Sequence, residues 1–383
     1  MACLAAAAGC VDAPVAPVPP AARPLLAQVT GGVIVPAFDS VVVRAARLAV
    51  VLDSLAAAPS AARVAAAQAA WVDARRAWEL TEAFGFGPAH TGGFDGRLDT
   101  WPLDLAGLGA FLAGATPVTP DNVALLDPTL AGFHGIEAVI FGALDTPVDG
   151  SGSADVVAAA RAPAAVAAGL AAAGAGPRRL AYVALAGHAL AATAAGLRDA
   201  WAPGAGDYAG QLAGAGQGTS VYATLGAGVR EVVGGITDPC DEVATSKIAR
   251  PLSASGADAV RYQESRFSDN TLADLEDDIA SARALYLGVG VETALALAPD
   301  ALPAGAAAGV RALVLATQPG LDAEVRADFA GALAALAAVG PSFGTALTAR
   351  RDAVVAAQRA VLRLRDVLVT RVAPLVGAVA DAD

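Results

Sequence analysis

The sequence has few of the residues that carry metal and redox chemistry, with three histidines and three cysteines among 383 residues. Cys3, Cys10 and Cys240 show no C-x-x-C spacing, so no cysteine-based site is indicated. H-E-x-x-H and H-x-x-E-H are also absent, and the familiar zinc-peptidase geometries therefore lack their second histidine.

Basic residues and strand-forming residues are also scarce. The chain has 25 Lys and Arg against 37 Asp and Glu, a net charge of −12, and no basic stripe. Nucleic acid is therefore not an expected partner. Aromatic residues make up only 5%, and runs of Val, Ile, Thr and Tyr are rare, whereas alanine is abundant and leucine recurs at helical spacing. We predict an all-α protein.

Long uncharged runs occur, but none is typical of a membrane span, although the mean hydropathy is +0.54. The longest are 180–197, which is mostly Ala and Gly, and 329–349, which is broken by Gly340-Pro341-Ser342. Because alanine contributes little to membrane insertion, we predict no transmembrane span.

The N-terminus carries a lipoprotein-like signal. Ala7-Ala8-Gly9-Cys10 resembles a bacterial lipobox, and a Pro/Ala-rich linker follows it. Only nine residues precede Cys10, none of them Lys or Arg, whereas a secretory signal has a basic start and a longer apolar run. Either the natural start lies upstream of Met1 or the alanine run is a coincidence. The tether-like linker favours the first, and hence a lipid anchor at Cys10.

The remaining chain divides into two halves of similar size. Residues 1–29 are predicted to be the signal remnant and linker, 30–203 an N-terminal bundle, and 204–383 a C-terminal bundle, with the boundary at Pro203–Asp207. Because helical segments lie on both sides of this boundary, we predict two adjacent helical bundles. The predicted segments are 31–57, 59–84, a short one near 103–112, one ending near 142, 154–174, 177–201, 218–249, 271–287, 304–318, 321–339 and 344–381.

The most informative stretch is Gly132-Phe133-His134-Gly135-Ile136-Glu137, which reads G-x-H-x-x-E. On a helix, His134 and Glu137 project from one face, so they can hold a metal or hold each other. Their apolar flanks predict a buried helix, in which Glu137 needs further polar partners. A metal here would have one nitrogen ligand and mostly oxygen ligands, which suits iron or calcium better than zinc.

Two further stretches carry candidate acids. In Trp71–Glu82, Glu79 and Glu82 are three apart, and Arg75 with Glu79 has the spacing of an ordinary surface ion pair. The simplest interpretation of that stretch is a solvated face opposite a tryptophan-lined core. Asp99 precedes a Trp-Pro corner in a long loop and is a plausible ligand.

The stretch from Gln263 to Asp274 contains both helix-capping residues and an unexplained acid. Thr271 with Asp274 resembles a capping box, and Ser268 or Asn270 would serve equally well as the N-cap. Capping does not account for Glu264.

Together these segments resemble the imelysin-like proteins over about residues 30–380. Arg266 and the alanine-rich stretch 150–180 depart from the family's pattern. The segments that carry the resemblance are GFHGIE, W-x-x-x-R-x-x-W-E-x-x-E-A-F-x-F-G-P from Trp71 to Pro88, the Asp99–Pro102 corner, E-S-x-F-S-x-N-T-x-x-D from Glu264 to Asp274, and Tyr286-Leu287-Gly288.

The resemblance implies two helical bundles packed side by side, with G-x-H-x-x-E at their interface. It also implies a bacterial envelope protein, periplasmic and often a lipoprotein, with a role in iron uptake. The family is classed among metallopeptidases, but its fold is unlike that of the H-E-x-x-H enzymes. Binding iron, or an iron-bearing ligand or partner protein, is therefore preferred over catalysis.

The predicted site draws on both halves. Iron is the expected metal, and another divalent ion is the alternative. The predicted metal ligands are His134, Glu137, Glu79, Glu82 and Asp99. The predicted ligand-binding residues are Trp101, Glu264, Ser268 and Arg76, the last orienting a carboxylate or binding an anion. Three alternatives remain. The first is a metallopeptidase in which Glu137 is the general base, the second is a metal-free peptide- or protein-binding scaffold, and the third is a purely structural role in which His134 and Glu137 tie the bundles together.

Overall fold

The computed structural model describes residues 22–145, 161–298, 301–303 and 308–375. Every regular element in these ranges is helical, and no strand occurs within them. The prediction of an all-α fold is confirmed.

Ten helices form the first half of the chain as far as it is described. The long helix α2 packs against α3 and α10. The helices are α1 (Ala22–Gln28), α2 (Val35–Ala57), α3 (Ala61–Glu79), α4 (Pro88–Thr91), α5 (Phe94–Asp99), α6 (Leu105–Ala113), α7 (Pro120–Ala124), α8 (Gly132–Ile140), α9 (Pro163–Ala171) and α10 (Ala175–Trp201). A π-helical turn (Val29–Ile34) joins α1 to α2, and 3-10 turns cover Glu82–Phe84 and Pro128–Leu130.

The second half is also helical where it is described. Its described helices are α11 (Tyr208–Ala213), α12 (Leu225–Glu242), α13 (Ala249–Ser253), α14 (Ala257–Arg261), α15 (Thr271–Leu287), α16 (Val291–Ala296), α17 (Val310–Thr317), α18 (Pro319–Ala337), α19 (Phe343–Ala349), α20 (Arg351–Val367) and α21 (Ala373–Leu375). π-Helical turns cover Val243–Lys247 and Leu368–Val372.

Helix α15 lies at the centre and positions the site. It packs against α12 and α18 of its own half, and against α3 and the Glu82–Phe84 turn of the first half. Almost every residue of α15 is buried, including Asp274, Asp277 and Asp278. Buried carboxylates need charged or hydrogen-bonding partners, so these acids make the seam between the two halves a polar one.

Several predicted boundaries differ from the observed ones. Helix α1 begins inside the predicted linker because Ala22, Leu25 and Leu26 are buried and pack against α11, α12 and α17 of the second half. The loop-rich stretch before α8 holds four short helices rather than one. The predicted boundary at 203–207 coincides with the turn between α10 and α11, and the division into two domains stays a prediction.

Two helical stretches, Ala22–Ala57 and Ala175–Trp201, are long and apolar enough to cross a membrane by length and composition. The core helices of a globular protein meet the same criterion. Here α2 and α10 pack against each other, and the most apolar 18-residue window is 44% buried in the first stretch and 39% buried in the second. The absence of a transmembrane span stays a prediction. Cys10, with its predicted lipid anchor, and residues 146–160 lie outside the described residues.

Candidate functional site

A buried group of charged side chains, here called the charged cluster, fills the seam between the two halves. The first half contributes residues from α3, the following turn, the end of α5 and α8. The second half contributes residues from the Val243–Lys247 turn, the 263–269 loop and α15. The charged cluster consists of Arg75, Glu79, Glu82, Asp99, His134, Glu137, Lys247, Glu264, Asp274 and Asp278.

The two motif residues on α8 hold each other, and Glu137 also joins the halves. His134 Nδ1 lies 2.9 Å from Glu137 Oε2. The other carboxylate oxygen, Oε1, accepts hydrogen bonds from the amides of Phe267 and Ser268 at 3.0 and 2.8 Å and from the Ser268 hydroxyl at 2.8 Å. These donors are the further polar partners that a buried Glu137 required.

The glycines of the motif allow α8 to lie close to its neighbours. Gly132 has a φ of +64°, and a Cβ there would lie 2.3 Å from the carbonyl oxygen of Leu98. A Cβ on Gly135 would lie 2.2 Å from the hydroxyl of Tyr182. Because Leu98 precedes Asp99, the close approach at Gly132 brings the motif histidine next to the Asp99 carboxylate.

Asp99 is the second partner of the histidine. Asp99 Oδ1 lies 3.1 Å from His134 Nε2, without the alignment of a hydrogen bond, while Oδ2 accepts from Trp78 Nε1 at 2.8 Å. Burial opposes ionisation of both groups, but the charges outweigh it. Arg75 and His134 hold the pKa of Asp99 well below its usual range. The contacts with Asp99 and Glu137 raise the pKa of His134 to about 9.

Arg75 connects the acids of both halves. Its guanidinium contacts Asp99, lies 2.7 Å from Glu79 Oε1 and 3.1 Å from Glu264 Oε1, and its Nε lies 3.5 Å from Asp274 Oδ2. Interpreting this stretch of α3 as a solvated ion-pair face is wrong, because Arg75 and Glu79 are fully buried against α15.

Lys247 is the basic residue that the sequence reasoning missed. Its Nζ lies 3.0 Å from Asp278 Oδ2, 3.1 Å from Glu264 Oε2, 3.5 Å from Glu79 Oε2 and 3.8 Å from Glu82 Oε1. One feature of the sequence indicates it: Lys247 is the only lysine among the 25 Lys and Arg residues of the chain.

Acids outnumber bases in the charged cluster, which has seven carboxyl groups and three basic groups, Arg75, His134 and Lys247. Burial raises the pKa of Glu79 and Glu82 well above their usual range and that of Asp278 to about 7. Near neutral pH the charged cluster therefore retains protons, and a metal cation could take their place.

Two sets of side chains within the charged cluster have the proximity that a metal ion requires. In each set, one ligand atom per residue lies within 4.8 Å of the others. The first set, here called the histidine set, is Asp99, His134 and Glu264. The second, here called the carboxylate set, is Glu79, Glu82 and Asp278.

The predicted site residues do not all lie in one place. Asp99, His134 and Glu264 lie together, whereas Glu79 and Glu82 face Lys247, and Ser268 binds Glu137. The other two lie outside the charged cluster. Arg76 is half exposed, and its Nε lies 3.6 Å from Asp277 Oδ1. Trp101 donates from Nε1 to the carbonyl of Gln263 at 3.0 Å, beneath the guanidinium of Arg250.

Comparison with known proteins identifies the family. Residues 34–371 match the family model described as Imelysin, Peptidase_M75. The chain belongs to the imelysin family. Iron-regulated protein A of Synechococcus elongatus is 34% identical over 349 residues, which cover 90% of this chain and 84% of that protein.

Solved structures of imelysin relatives share the fold. A crystal structure from Parabacteroides distasonis, of a protein named after iron-regulated protein A, matches with a TM-score of 0.74 and 21% identity over 94% of this chain and 95% of that one. An imelysin-like protein from Psychrobacter arcticum matches with a TM-score of 0.66 and 16% identity over 94% and 97%. At these identities the likeness concerns the fold alone.

Proposed function

We propose that this imelysin-family protein binds one iron ion in the charged cluster and serves in bacterial iron uptake at the cell envelope. The iron-related role is supported by the relative whose name is iron-regulated protein A. The observation that carries the binding site is the convergence of buried donors from both halves on one point, in the histidine set.

The donor atoms of the histidine set fit a metal cation. His134 Nε2 and Glu264 Oε2 are buried and have no aligned hydrogen bond among the described residues, although Nε2 lies 3.1 Å from Asp99 Oδ1 and Oε2 lies 3.1 Å from Lys247 Nζ. Buried polar atoms without hydrogen bonds are costly unless something else satisfies them. One imidazole nitrogen with carboxylate oxygens suits iron, and another divalent ion of similar preference is the alternative.

In this proposal Glu137 orients His134 and does not itself bind the metal. Its Oε1 already accepts three hydrogen bonds, and its Oε2 faces His134 Nδ1. A carboxylate at Nδ1 keeps the proton on that nitrogen, so a metal that displaces the proton of Nε2 would bind the lone pair there. We therefore propose Asp99, His134 and Glu264 as ligands and Glu137 as the residue that orients the histidine.

The same contacts weigh against a peptidase. A general base must reach a metal-bound water, but Glu137 would first have to give up its hydrogen bonds with Ser268 and His134. Catalysis also requires room for a peptide, whereas the side chains of Asp99, His134 and Glu264 are only 6%, 1% and 4% exposed. Binding is therefore the function that the geometry supports best.

Metal titration of purified protein tests the proposal. We expect the wild type to bind one Fe²⁺ per chain under anaerobic calorimetry, and His134→Ala and Asp99→Asn to lose that binding. His188→Ala is the matched control, because His188 pairs with Asp53 on the surface and should leave binding unchanged. Equal binding by the wild type and His134→Ala would exclude the site, and no binding by any variant would exclude the function.

The envelope location and the lipid anchor need a separate experiment. We propose that Cys10 is the lipidated residue of the exported gene product. Fatty-acid labelling of the natural gene product should modify the wild type and not Cys10→Ser, and equal labelling of both would contradict the anchor.

A further inference from the structure

Lys247 occupies the centre of the carboxylate set. Its Nζ lies 3.0–3.8 Å from Glu79, Glu82 and Asp278, which are the three members of that set, and 3.1 Å from Glu264 of the histidine set. The chain's only lysine thus stands between two candidate cation sites.

We infer that Lys247 is a built-in cation, which fills the carboxylate set and restricts the charged cluster to one metal ion. The inference rests on the proposed function, because it concerns how many ions the same cluster accepts. Lys247 would thus determine how many metal ions bind per chain, and it would be neither a metal ligand nor a catalytic group.

The space around Nζ explains why the ammonium and a metal ion exclude each other. Carboxylate oxygens bind a metal at about 2.0–2.6 Å. An ion bound by Glu79, Glu82 and Asp278 would therefore lie where the ammonium now lies, and the two positive charges would repel each other at short range. The ammonium already neutralises much of the negative charge of these carboxylates, which would otherwise attract a metal ion.

The choice of lysine agrees with this role. An ammonium is a compact charge with three donors, whereas the arginine side chain is a planar fork that spans its partners. Arg75 has the geometry of the planar fork, since its guanidinium contacts Asp99 in the first half and Glu264 in the second. The carboxylate set also has an outlet to solvent, because the side chain of Glu82 is 19% exposed.

The test counts metal ions per chain in the full-length protein, with Mn²⁺ as the probe. Elemental analysis after gel filtration should give one ion for the wild type and two for Lys247→Gln, which removes the charge but keeps a polar side chain. Lys247→Arg keeps the charge and should bind one. Lys247→Gln combined with Asp278→Asn loses a carboxylate and should also bind one.

The outcomes separate this inference from the proposed function. If the wild type and Lys247→Gln each bind one ion and His134→Ala binds none, the inference fails and the function stands. If the wild type binds none and Lys247→Gln binds one, the proposed metal site in the histidine set fails, and the claim that Lys247 fills the carboxylate set stands. Two ions in the wild type would overturn the inference.

A variant that does not fold still gives a result. If Lys247→Gln is unfolded without metal, we expect Mn²⁺ to restore a cooperative melting transition, because a second ion would replace the missing charge. Failure of Mn²⁺ to restore folding, while the double variant with Asp278→Asn folds, would also overturn the inference.

Discussion

Replacing Glu137 by alanine should destabilise the protein strongly, because this carboxylate pairs two backbone amides of the opposite half. In Glu137→Ala the amides of Phe267 and Ser268 lose their acceptor. The Ser268 hydroxyl can turn to the carbonyl of Ser265, which lies 3.2 Å away, so it keeps a partner. Each orphaned amide costs roughly 1–3 kcal/mol, which makes the expected loss about 2–6 kcal/mol.

The loss should be measurable as a lower urea midpoint, followed by tryptophan fluorescence and far-ultraviolet circular dichroism. Ser268→Ala is the matched control, because it removes only the hydroxyl donor and leaves both amides paired with Glu137. It should cost about 0.5–1.5 kcal/mol. A free energy of unfolding for Glu137→Ala within about 1 kcal/mol of the wild type would refute the assignment of Glu137 as a tie between the halves.

Glu137→Gln separates the two tasks of this residue. The amide oxygen can still accept from Ser268 and Phe267, so the variant should fold and lose less stability than Glu137→Ala. The amide nitrogen would face His134 Nδ1 as a donor, which moves the ring proton to Nε2 and blocks the proposed metal-binding nitrogen. We expect a folded protein with strongly weakened iron binding, and unchanged binding would contradict the orienting role.

Three further predictions concern the charged cluster. First, the melting temperature of the metal-free protein should fall between about pH 6 and about pH 9, and a rising or flat profile would contradict this. The pKa of His134 is raised from 6.5 to about 9 and that of Asp278 from 3.8 to about 7, so the native state binds more protons than the unfolded state across this range. The contribution of His134 is fully present below pH 6.5 and is lost as the pH passes about 9. Second, Arg75→Ala should cost about 3–5 kcal/mol, because it leaves buried carboxylates unpaired, and Arg76→Ala at most about 1 kcal/mol; equal urea midpoints would reject the distinction. Third, Gly132→Ala should lower both the melting temperature and the iron affinity, since its Cβ would separate α8 from α5; an unchanged affinity would show that the close approach is not needed.

The sequence predicted the helical fold because helix formation in an alanine-rich chain is a local property, as the agreement between predicted and observed bounds of α15 illustrates. It also contained the information that Arg75, and not Arg76, faces the core. Trp71, Arg75 and Trp78 have the spacing i, i+4, i+7 and share one helix face, whereas Arg76 does not. The position of Arg75 on this face, rather than its charge, indicates that it is buried.

Helical periodicity could not predict which residues contact each other within the charged cluster, because these residues come from distant parts of the chain. Lys247 contacts Glu79 across 168 residues, and Ser268 contacts Glu137 across 131. Helical periodicity indicates which face is buried, but it does not indicate which residue of another helix will lie opposite. The packing of the second half against α3 and α8 brings these groups together.

The composition of the charged cluster argues for a role beyond stability. Buried ion pairs often stabilise a protein no better than apolar residues of similar volume, and here the acids exceed the bases. Asp99 and His134 belong to the first half and Glu264 to the second, so a cation held by all three would join the halves. A ligand that binds only the native arrangement stabilises it in proportion to the logarithm of its concentration. Iron binding should therefore raise the unfolding midpoint of both halves together, and a midpoint shift confined to one half would place the ion away from the seam.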